Sequence, residues 1–375
     1  LYGGRARVLA LGAIAGAAEA GAVLGPLYGA LMVRELGWRS IFWVNLPLVA
    51  VLLLSVGALL RVRTARIGRV DYAGAVLIGI ALLALTLGLS GKSGSALERH
   101  RALLLVTAAI VGAGFVAWQA RARWPLISLS LFARRPFASA NAANLFIGAA
   151  LIVALVEVPL FASIVLDKTA AAAGLTLLRL TALIPIGALI GGWLAARLPD
   201  PVVAAAGMLL SAVGFIQLSG WDARVTEPVL ALDLALTGCG FGLVLAPLAG
   251  AALGAARGGS EAVAAASLTI ARMIGMMVGL SALTTWGLGE FNRRVAQLSL
   301  PLPQPGQPAQ VHQALLDQYE AGVTAAAVFV FDRLFLVAAI LCALAALLTL
   351  WLSPKATGAR PSRSGSSPRV GSVTR

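Results

Sequence analysis

The sequence predicts an all-α polytopic membrane protein, and three observations carry that prediction. Hydrophobic residues make up 59% of the chain and charged residues 12%, with a mean hydropathy of +0.91, whereas a soluble domain averages about 25% charged residues. The apolar residues are grouped in stretches close to the roughly 20 residues that one helical crossing needs. Basic residues concentrate between these stretches. The ten predicted spans are 8–32, 41–61, 73–91, 102–120, 139–163, 172–196, 201–219, 226–254, 262–287 and 326–352.

The excess of basic residues indicates membrane topology rather than nucleic-acid binding. The net charge is +14 and the pI about 11.3. If the chain starts in the cytoplasm and alternates sides, 17 of the 29 Lys and Arg residues lie inside and nine lie outside. This bias follows the positive-inside rule. We therefore expect a multi-pass protein of the cytoplasmic (inner) membrane with a cytoplasmic C-terminus, no nucleic-acid partner, and some attraction to anionic lipids.

The first predicted span combines a small-residue face with a carboxylate. Gly21, Gly25 and Gly29 recur every four residues and predict a seam on which a second helix packs closely. Pro26 has no amide proton and favours a bend. Glu19 points roughly 120° away from that seam, since each residue turns the helix by about 100°. One face of this helix can therefore pack while another offers a carboxylate to an interior cavity.

The remaining chain divides at its basic and proline-rich loops. Residues 121–136 predict a helix lying along the membrane surface. Residues 288–325 form the longest predicted loop, extracytoplasmic and with a short surface helix in its second part. The break near 165–172 rests on Asp167 and Lys168 alone. The predicted units are 1–61, the end of an N-terminal bundle; 62–135, two central helices; 136–352, a six-helix bundle; and 353–375, a disordered basic tail.

Ionisable residues inside spans are candidate functional residues, because each costs about 2.5–3.5 kcal/mol at the membrane centre on insertion scales. They are Glu19 and Arg272 near mid-span, and Glu157, Arg179, Asp233 and Asp332 nearer the outer side. Burial favours the neutral form of a carboxylate and a nearby Arg favours the ionised form. A helix movement that changes the partner would therefore drive proton uptake and release. The alternative is a static buried ion pair that fixes helix packing.

Other chemistries have little support in the sequence. Cys239 and Cys342 lie in apolar spans and are expected to be buried, reduced thiols. His100 and His312 fall in loops, so no nucleophile–base pair is expected at membrane depth. We therefore expect neither an enzyme nor a cofactor or metal site. A lipid-modifying membrane enzyme remains an alternative of a different class.

Five segments, in order, resemble one family. The spacing of Gly12, Gly21, Gly25-Pro26 and Gly29 resembles the antiporter signature of the major facilitator superfamily, with Ala30 in place of the usual final glycine. Four further segments resemble helices and links of its fourteen-span drug:proton antiporter group, closest to actinobacterial lipid and multidrug exporters. They are WRSIFWVNLP (38–47), DYAG (71–74), PLISLSLFARRPF (125–137) and LTIARMIGMMVGLSALTTWGL (268–288). The segment GGWLAARLPD (191–200) departs from the family's loop signature, with Ala196 where an acid is usual.

The resemblance implies a fold, a function and partners. The implied fold is two six-helix bundles with two extra helices between them. The implied function is export of hydrophobic or amphipathic substrates such as drugs, driven by the proton gradient, with lipid export of a triacylglyceride type as the alternative. A periplasmic or lipoprotein partner stays open. The resemblance also places Leu1 just before the family's fifth helix, so four helices are expected to be absent. A non-transporting fragment or scaffold is then a further alternative.

Overall fold

The described residues of the chain are helical. The computed structural model describes residues 36–59, 71–89, 100–123, 125, 129–256, 261–302 and 308–352, together with the single residues Ala17, Ala20, Gly21, Tyr28 and Met32. The helices are α1 (Arg39–Leu59), α2 (Tyr72–Leu89), α3 (Arg101–Arg121), α4 (Arg135–Ile164), α5 (Ala170–Ala195), α6 (Asp200–Ser219), α7 (Glu227–Ala255), α8 (Glu261–Val295) and α9 (Ala309–Thr349). No strand occurs among these residues.

The helices agree with the predicted spans. Helices α2 to α9 are each long and apolar enough to cross a membrane, and α1 is apolar over Arg39–Ser55. Each of the second to tenth predicted spans contains one of these helices. The first predicted span, 8–32, lies outside the described residues except for the isolated positions. The all-α polytopic membrane fold is therefore confirmed.

Helices α4 to α9 form one bundle around a shared core of buried side chains. Within it α7 packs along both α5 and α6, while α4 packs along α8 and α9. Glycines allow the closest approach: a Cβ atom added at Gly238 or Gly242 of α7 would overlap the backbone of Leu180 or Ile184 on α5. Small residues of this kind let membrane helices pack backbone to backbone. The α5–α7 contact therefore depends on glycine at these positions.

The α4–α8 contact combines glycine with buried polar groups. A Cβ atom at Gly148 would overlap the backbone of Arg272, and one at Gly275 would overlap the backbone of Leu145. Asn144 Nδ2 donates a hydrogen bond to the carbonyl of Leu268, at 2.6 Å. Side-chain hydrogen bonds between membrane helices hold their register. This contact sets the position of Arg272 within the bundle.

Helices α2 and α3 pack as a separate pair, tied at one end by Asp71. The Asp71 carboxylate accepts a hydrogen bond from the backbone amide of Gly74 at 2.8 Å, which caps the start of α2. It also accepts from Trp118 Nε1 at 3.0 Å and from Gln119 Nε2 at 3.0 Å, both on α3. A side chain at Gly74 would overlap both Asp71 and Gln119. The single carboxylate therefore joins both helices of the central pair.

Two predicted loops differ from the observed structure. The segment predicted as a separate surface helix within 288–325 is the beginning of α9, which runs unbroken from Ala309 into the last span. Gly322 lies within this helix, and the Leu298 side chain packs against it. Among the described residues of 121–136, only Leu129–Leu131 form a short 3-10 turn beyond the helix ends. Leu131 is buried, so it packs into the bundle rather than onto the membrane surface.

The predicted break between the fifth and sixth spans is confirmed. Helix α4 ends at Ile164 and α5 begins at Ala170. Asp167 adopts a left-handed backbone with φ 49°, a conformation that Asp tolerates better than most residues. Its neighbour Lys168 donates its backbone amide to the carbonyl of Ala162 at 2.9 Å. Asp167 and Lys168 therefore form a compact turn between two spans.

Candidate functional site

Two buried carboxylates lie near the same end of the six-helix bundle. Glu157 is seven residues before the end of α4 at Ile164, about 10 Å along the axis, and Asp233 is six residues into α7, about 9 Å. Both helices meet the connections 165–169 and 220–226 at this end. We call it the outer end, because the distribution of basic residues predicts that it faces away from the cytoplasm.

Glu157 has no polar partner among the described residues. Its exposed fraction is 7%, and it shares a helix face with Ala150, Ala154 and Phe161, none more than 1% exposed. No hydrogen bond or ion pair from a described residue reaches its carboxylate. An ionised carboxylate buried without a partner is costly, whereas a protonated one is tolerated. This chemistry suits a group that exchanges a proton rather than one that fixes a static ion pair.

Asp233 has one side-chain partner among the described residues. It is 2% exposed, and its Oδ2 accepts a hydrogen bond from Trp221 Nε1 at 2.9 Å. The Trp221 ring packs against Phe161 at 5.4 Å and against Phe335 at 6.1 Å between centroids. Phe161 is one helical turn beyond Glu157 on α4. Phe161 therefore links the helix that carries Glu157 to the ring that hydrogen bonds to Asp233.

Arg179 pairs with a residue that the sequence analysis passed over. The sequence marks Arg179 as a candidate for proton coupling or for a static ion pair, and in the structure its guanidinium pairs with Glu227 at the start of α7. Lys168 Nζ lies 2.7 Å from the other oxygen of the same carboxylate. This three-residue ion cluster ties the α4–α5 turn to α5 and α7. Glu227 resembles any acid in the first turn of a helix, so the sequence offers no signal for its role.

Arg272 lies at a different depth from Glu157. It is half-buried, and its backbone contacts Gly148, nine residues before Glu157 and about 13 Å away along α4. Glu19, Gly12, Gly25, Pro26 and Gly29 lie outside the described residues. Gly21 is described, and a side chain there would meet no described atom within 4 Å. The structure therefore places Glu157 and Asp233 near the same end of the bundle and Arg272 at a different depth.

The cysteines differ from each other in burial. Cys342 is buried in α9 and Cys239 is half-buried in α7, and neither forms a disulfide. Within the described ranges, no group of three His, Cys, Asp or Glu side chains is placed to hold a metal ion. The candidate site is thus a set of carboxylates, aromatic rings and guanidinium groups.

The chain matches a known protein family over most of its length. Residues 1–280 match the Major Facilitator Superfamily, which is most of the chain. The chain belongs to the major facilitator superfamily. The superfamily is one of transporters rather than enzymes, and this agrees with a bundle of apolar helices that carries a few buried ionisable groups. The described helices α4 to α9 supply one six-helix bundle of such a protein.

Relatives in the superfamily cover nearly the whole chain. A triacylglyceride transporter of Mycolicibacterium smegmatis is 38% identical over 372 residues, which is 95% of this chain and 66% of the relative. A triacylglyceride transporter of Mycobacterium tuberculosis is 37% identical over 371 residues, 94% of this chain and 71% of the relative. A probable triacylglyceride transporter of Mycobacterium leprae is 36% identical over 374 residues, 95% and 72% respectively. The chain thus spans about two thirds of the length of these relatives.

Proposed function

We propose that this major facilitator protein exports a neutral acyl lipid of the triacylglyceride class by proton-coupled transport. The observation that carries the proposal is the identity of 36–38% with proteins named triacylglyceride transporters, extending over 94–95% of the chain. This favours the lipid over the drug substrates implied by the antiporter group. Membership of the fourteen-span group, and residence in the cytoplasmic membrane with the C-terminus inside, belong to the same proposal.

The chemistry of the bundle supports a hydrophobic substrate. Ala, Leu, Phe and Val make up most of the buried side chains of the six-helix bundle. Most of its buried polar side chains already hydrogen bond within the protein. A site that recognised a sugar or an amino acid would need several hydrogen-bonding side chains, since unsatisfied polar groups are costly in an apolar site. A lipid with three acyl chains has few polar groups, so its binding site needs few hydrogen-bonding side chains. The composition therefore fits an acyl lipid and a multidrug substrate better than a polar metabolite.

Glu157 is the group we assign to proton coupling among the described residues. Its carboxylate is buried and has no described partner. The ionised form of this side chain therefore favours polar surroundings, and the protonated form favours the apolar interior. Asp233 is the second candidate, and Glu19 remains a third, outside the described residues. Arg179 instead stabilises the outer end through Glu227. Arg272 remains a candidate for coupling at mid-membrane depth.

The proposal is tested by comparing two substrate classes under one proton gradient. The complete gene product is reconstituted in liposomes, a pH gradient is imposed, and movement of a fluorescent triacylglycerol and of a fluorescent cationic drug is recorded. The proposal predicts gradient-dependent movement of the triacylglycerol. Movement of the drug alone would instead support multidrug export, and movement of neither by correctly inserted protein would reject transport of both classes.

A further inference from the structure

An open cleft lies at the outer end, between the α6–α7 turn and α9. Its volume is about 760 Å³. One wall is the turn, including Trp221, Asp222 and Arg224, and the other wall is a face of α9 that includes Ala325 and Asp332. Within the turn, the Arg224 backbone amide donates a hydrogen bond to Asp222 Oδ1 at 2.8 Å. Charged side chains on both walls make this cleft suitable for water.

Trp221 is the residue that this cleft shares with the buried interior. It lines the cleft, yet only 4% of its surface is exposed. Its ring is held between Phe161 and Phe335, and its indole nitrogen donates to Asp233. The side chain therefore stands between an open cleft and a carboxylate that is 2% exposed. Displacing the ring would connect Asp233 with the cleft.

The hydrogen bond from Trp221 is the main polar interaction of the Asp233 carboxylate. Among the described residues, Trp221 is the one side chain that hydrogen bonds to this carboxylate. Charged groups lie on every element at this end that could influence it. They are Glu157 on α4, Asp167 and Lys168 in the α4–α5 turn, Arg179 on α5, Glu227 on α7 itself, Asp222 and Arg224 in the α6–α7 turn, Glu290, Arg293 and Arg294 on α8, and Asp332 and Arg333 on α9. Most of these already pair with one another: Lys168 and Arg179 with Glu227, both α8 arginines with Glu290, and Arg333 with Asp332.

We propose that Trp221 covers Asp233 and that the outer cleft is the aqueous route by which protons reach this carboxylate. The aromatic contacts hold the ring in the covering position, and the indole N–H positions the carboxylate while it is dry. Movement of α9 or of the α6–α7 turn would displace the ring, because Phe335 and Trp221 belong to those two elements. Trp221 is thus a positioning residue, and the inference rests on the proposed proton coupling.

The proposal is tested by cysteine accessibility, which does not require transport. Asp233→Cys is made in the complete gene product with Cys239→Ala, and native Cys342 is retained as a buried reference. A membrane-impermeant thiol reagent is added to intact cells, and labelled positions are located by peptide mass spectrometry. The labelling rate is compared between Trp221, Trp221→Phe and Trp221→Ala backgrounds. Ala325→Cys, at an exposed position on the cleft wall, reports whether the reagent enters the cleft.

The expected result is rapid labelling of Ala325→Cys in every background, and slow labelling of Asp233→Cys with Trp221 or Trp221→Phe. Trp221→Ala should raise the rate at position 233 at least tenfold while Cys342 stays unlabelled. Equal rates at 233 and 325 with Trp221 in place would overturn the proposal, as would no increase in Trp221→Ala. Labelling of Ala325→Cys only from the cytoplasmic side would also overturn it. If Trp221→Ala exposes Cys342 by unfolding, Trp221→Leu replaces it in the same comparison.

Discussion

At the scale of single residues, burial separates two carboxylates that have the same chemistry. Glu157 is 7% exposed with no described partner, whereas the side chain of Glu227 is 56% exposed and holds both Lys168 and Arg179. A carboxylate without a partner in an apolar site favours its neutral form. One with two cations favours its ionised form. Replacing the carboxylate with an uncharged side chain should therefore have opposite effects on protein stability at the two positions.

Glu157→Gln should leave the protein as stable as the wild type or raise its melting temperature. Glutamine has nearly the same volume and carries no charge to desolvate, so the replacement removes a cost without opening a cavity. The check is a thermal unfolding scan in detergent at neutral pH, with Glu320→Gln as the same substitution at an exposed site on α9. A clear fall in melting temperature for Glu157→Gln alone would indicate a static structural carboxylate instead.

Glu227→Gln should lower stability modestly, because both cations lose their ionised partner. Exposed ion pairs are worth roughly 0.2–1 kcal/mol each, so we expect the loss of both pairs to cost about 0.4–2 kcal/mol. The loss should shrink at high salt, which screens exposed charges. The same scan at low and high salt measures it. A loss that does not depend on salt would argue against the ion cluster as its cause.

The sequence predicted some of these residues and not others, for physical reasons. Glu157 and Asp233 were found because an acid inside an apolar stretch is costly and therefore informative. Glu227 was missed because an acid in the first turn of a helix is common and favourable by itself. Trp221 was missed because a loop aromatic gives no sign of its contacts. Arg179 was identified, but its partner depends on which helices are neighbours, which composition does not encode.

At the scale of helices, length and position were predictable but the contacts between helices were not. Apolar runs marked α1 to α7 within a few residues, because a crossing needs a fixed length. Helix α8 extends beyond its predicted end at 287, to Val295. The start of α9 at Ala309 was missed, because its first turns are polar and resemble a loop. The pairing of α5 with α7 and of α4 with α8 depends on which glycines face each other. That information becomes visible only in three dimensions.

Glycine contacts between α5 and α7 predict a position-specific effect. Gly242→Ala should destabilise the protein by about 1–3 kcal/mol, because a methyl group would overlap the α5 backbone at Ile184. Gly254→Ala on the same helix meets no atom within 4 Å and should be neutral or stabilising by up to about 1 kcal/mol. Melting temperatures of the two variants check the contrast. Equal effects would mean that α5 and α7 are not in backbone contact there.

The Asp71 cluster predicts a further effect on the central helix pair. Asp71→Ala removes a helix cap and two side-chain hydrogen bonds to α3, and should cost about 2 kcal/mol. Asp71→Asn keeps an acceptor oxygen for the Gly74 amide and should cost less. Melting temperatures of the two variants and the wild type measure how firmly the pair is held. Identical melting temperatures in all three would contradict the role of Asp71.

At the scale of the whole molecule, membership of the major facilitator superfamily relates the proposed substrate to the proposed coupling group. Membership of the family indicates a transporter, and the relatives' names support a lipid as the proposed substrate. The described bundle supplies buried Glu157 as the proposed coupling group. The assignment of the substrate and the assignment of the coupling residue rest on different observations, so each can be tested separately.

The most direct test is proton flux that depends on lipid. The complete gene product and its Glu157→Gln variant are reconstituted in liposomes that contain a pH-sensitive dye, with and without triacylglycerol in the bilayer. We predict that triacylglycerol accelerates proton movement through the wild-type protein down an imposed pH gradient, and that Glu157→Gln reduces this lipid-dependent flux at least tenfold. Lipid-dependent flux of unchanged rate in Glu157→Gln, with Glu320→Gln as the control, would contradict the assignment of Glu157 as the coupling carboxylate.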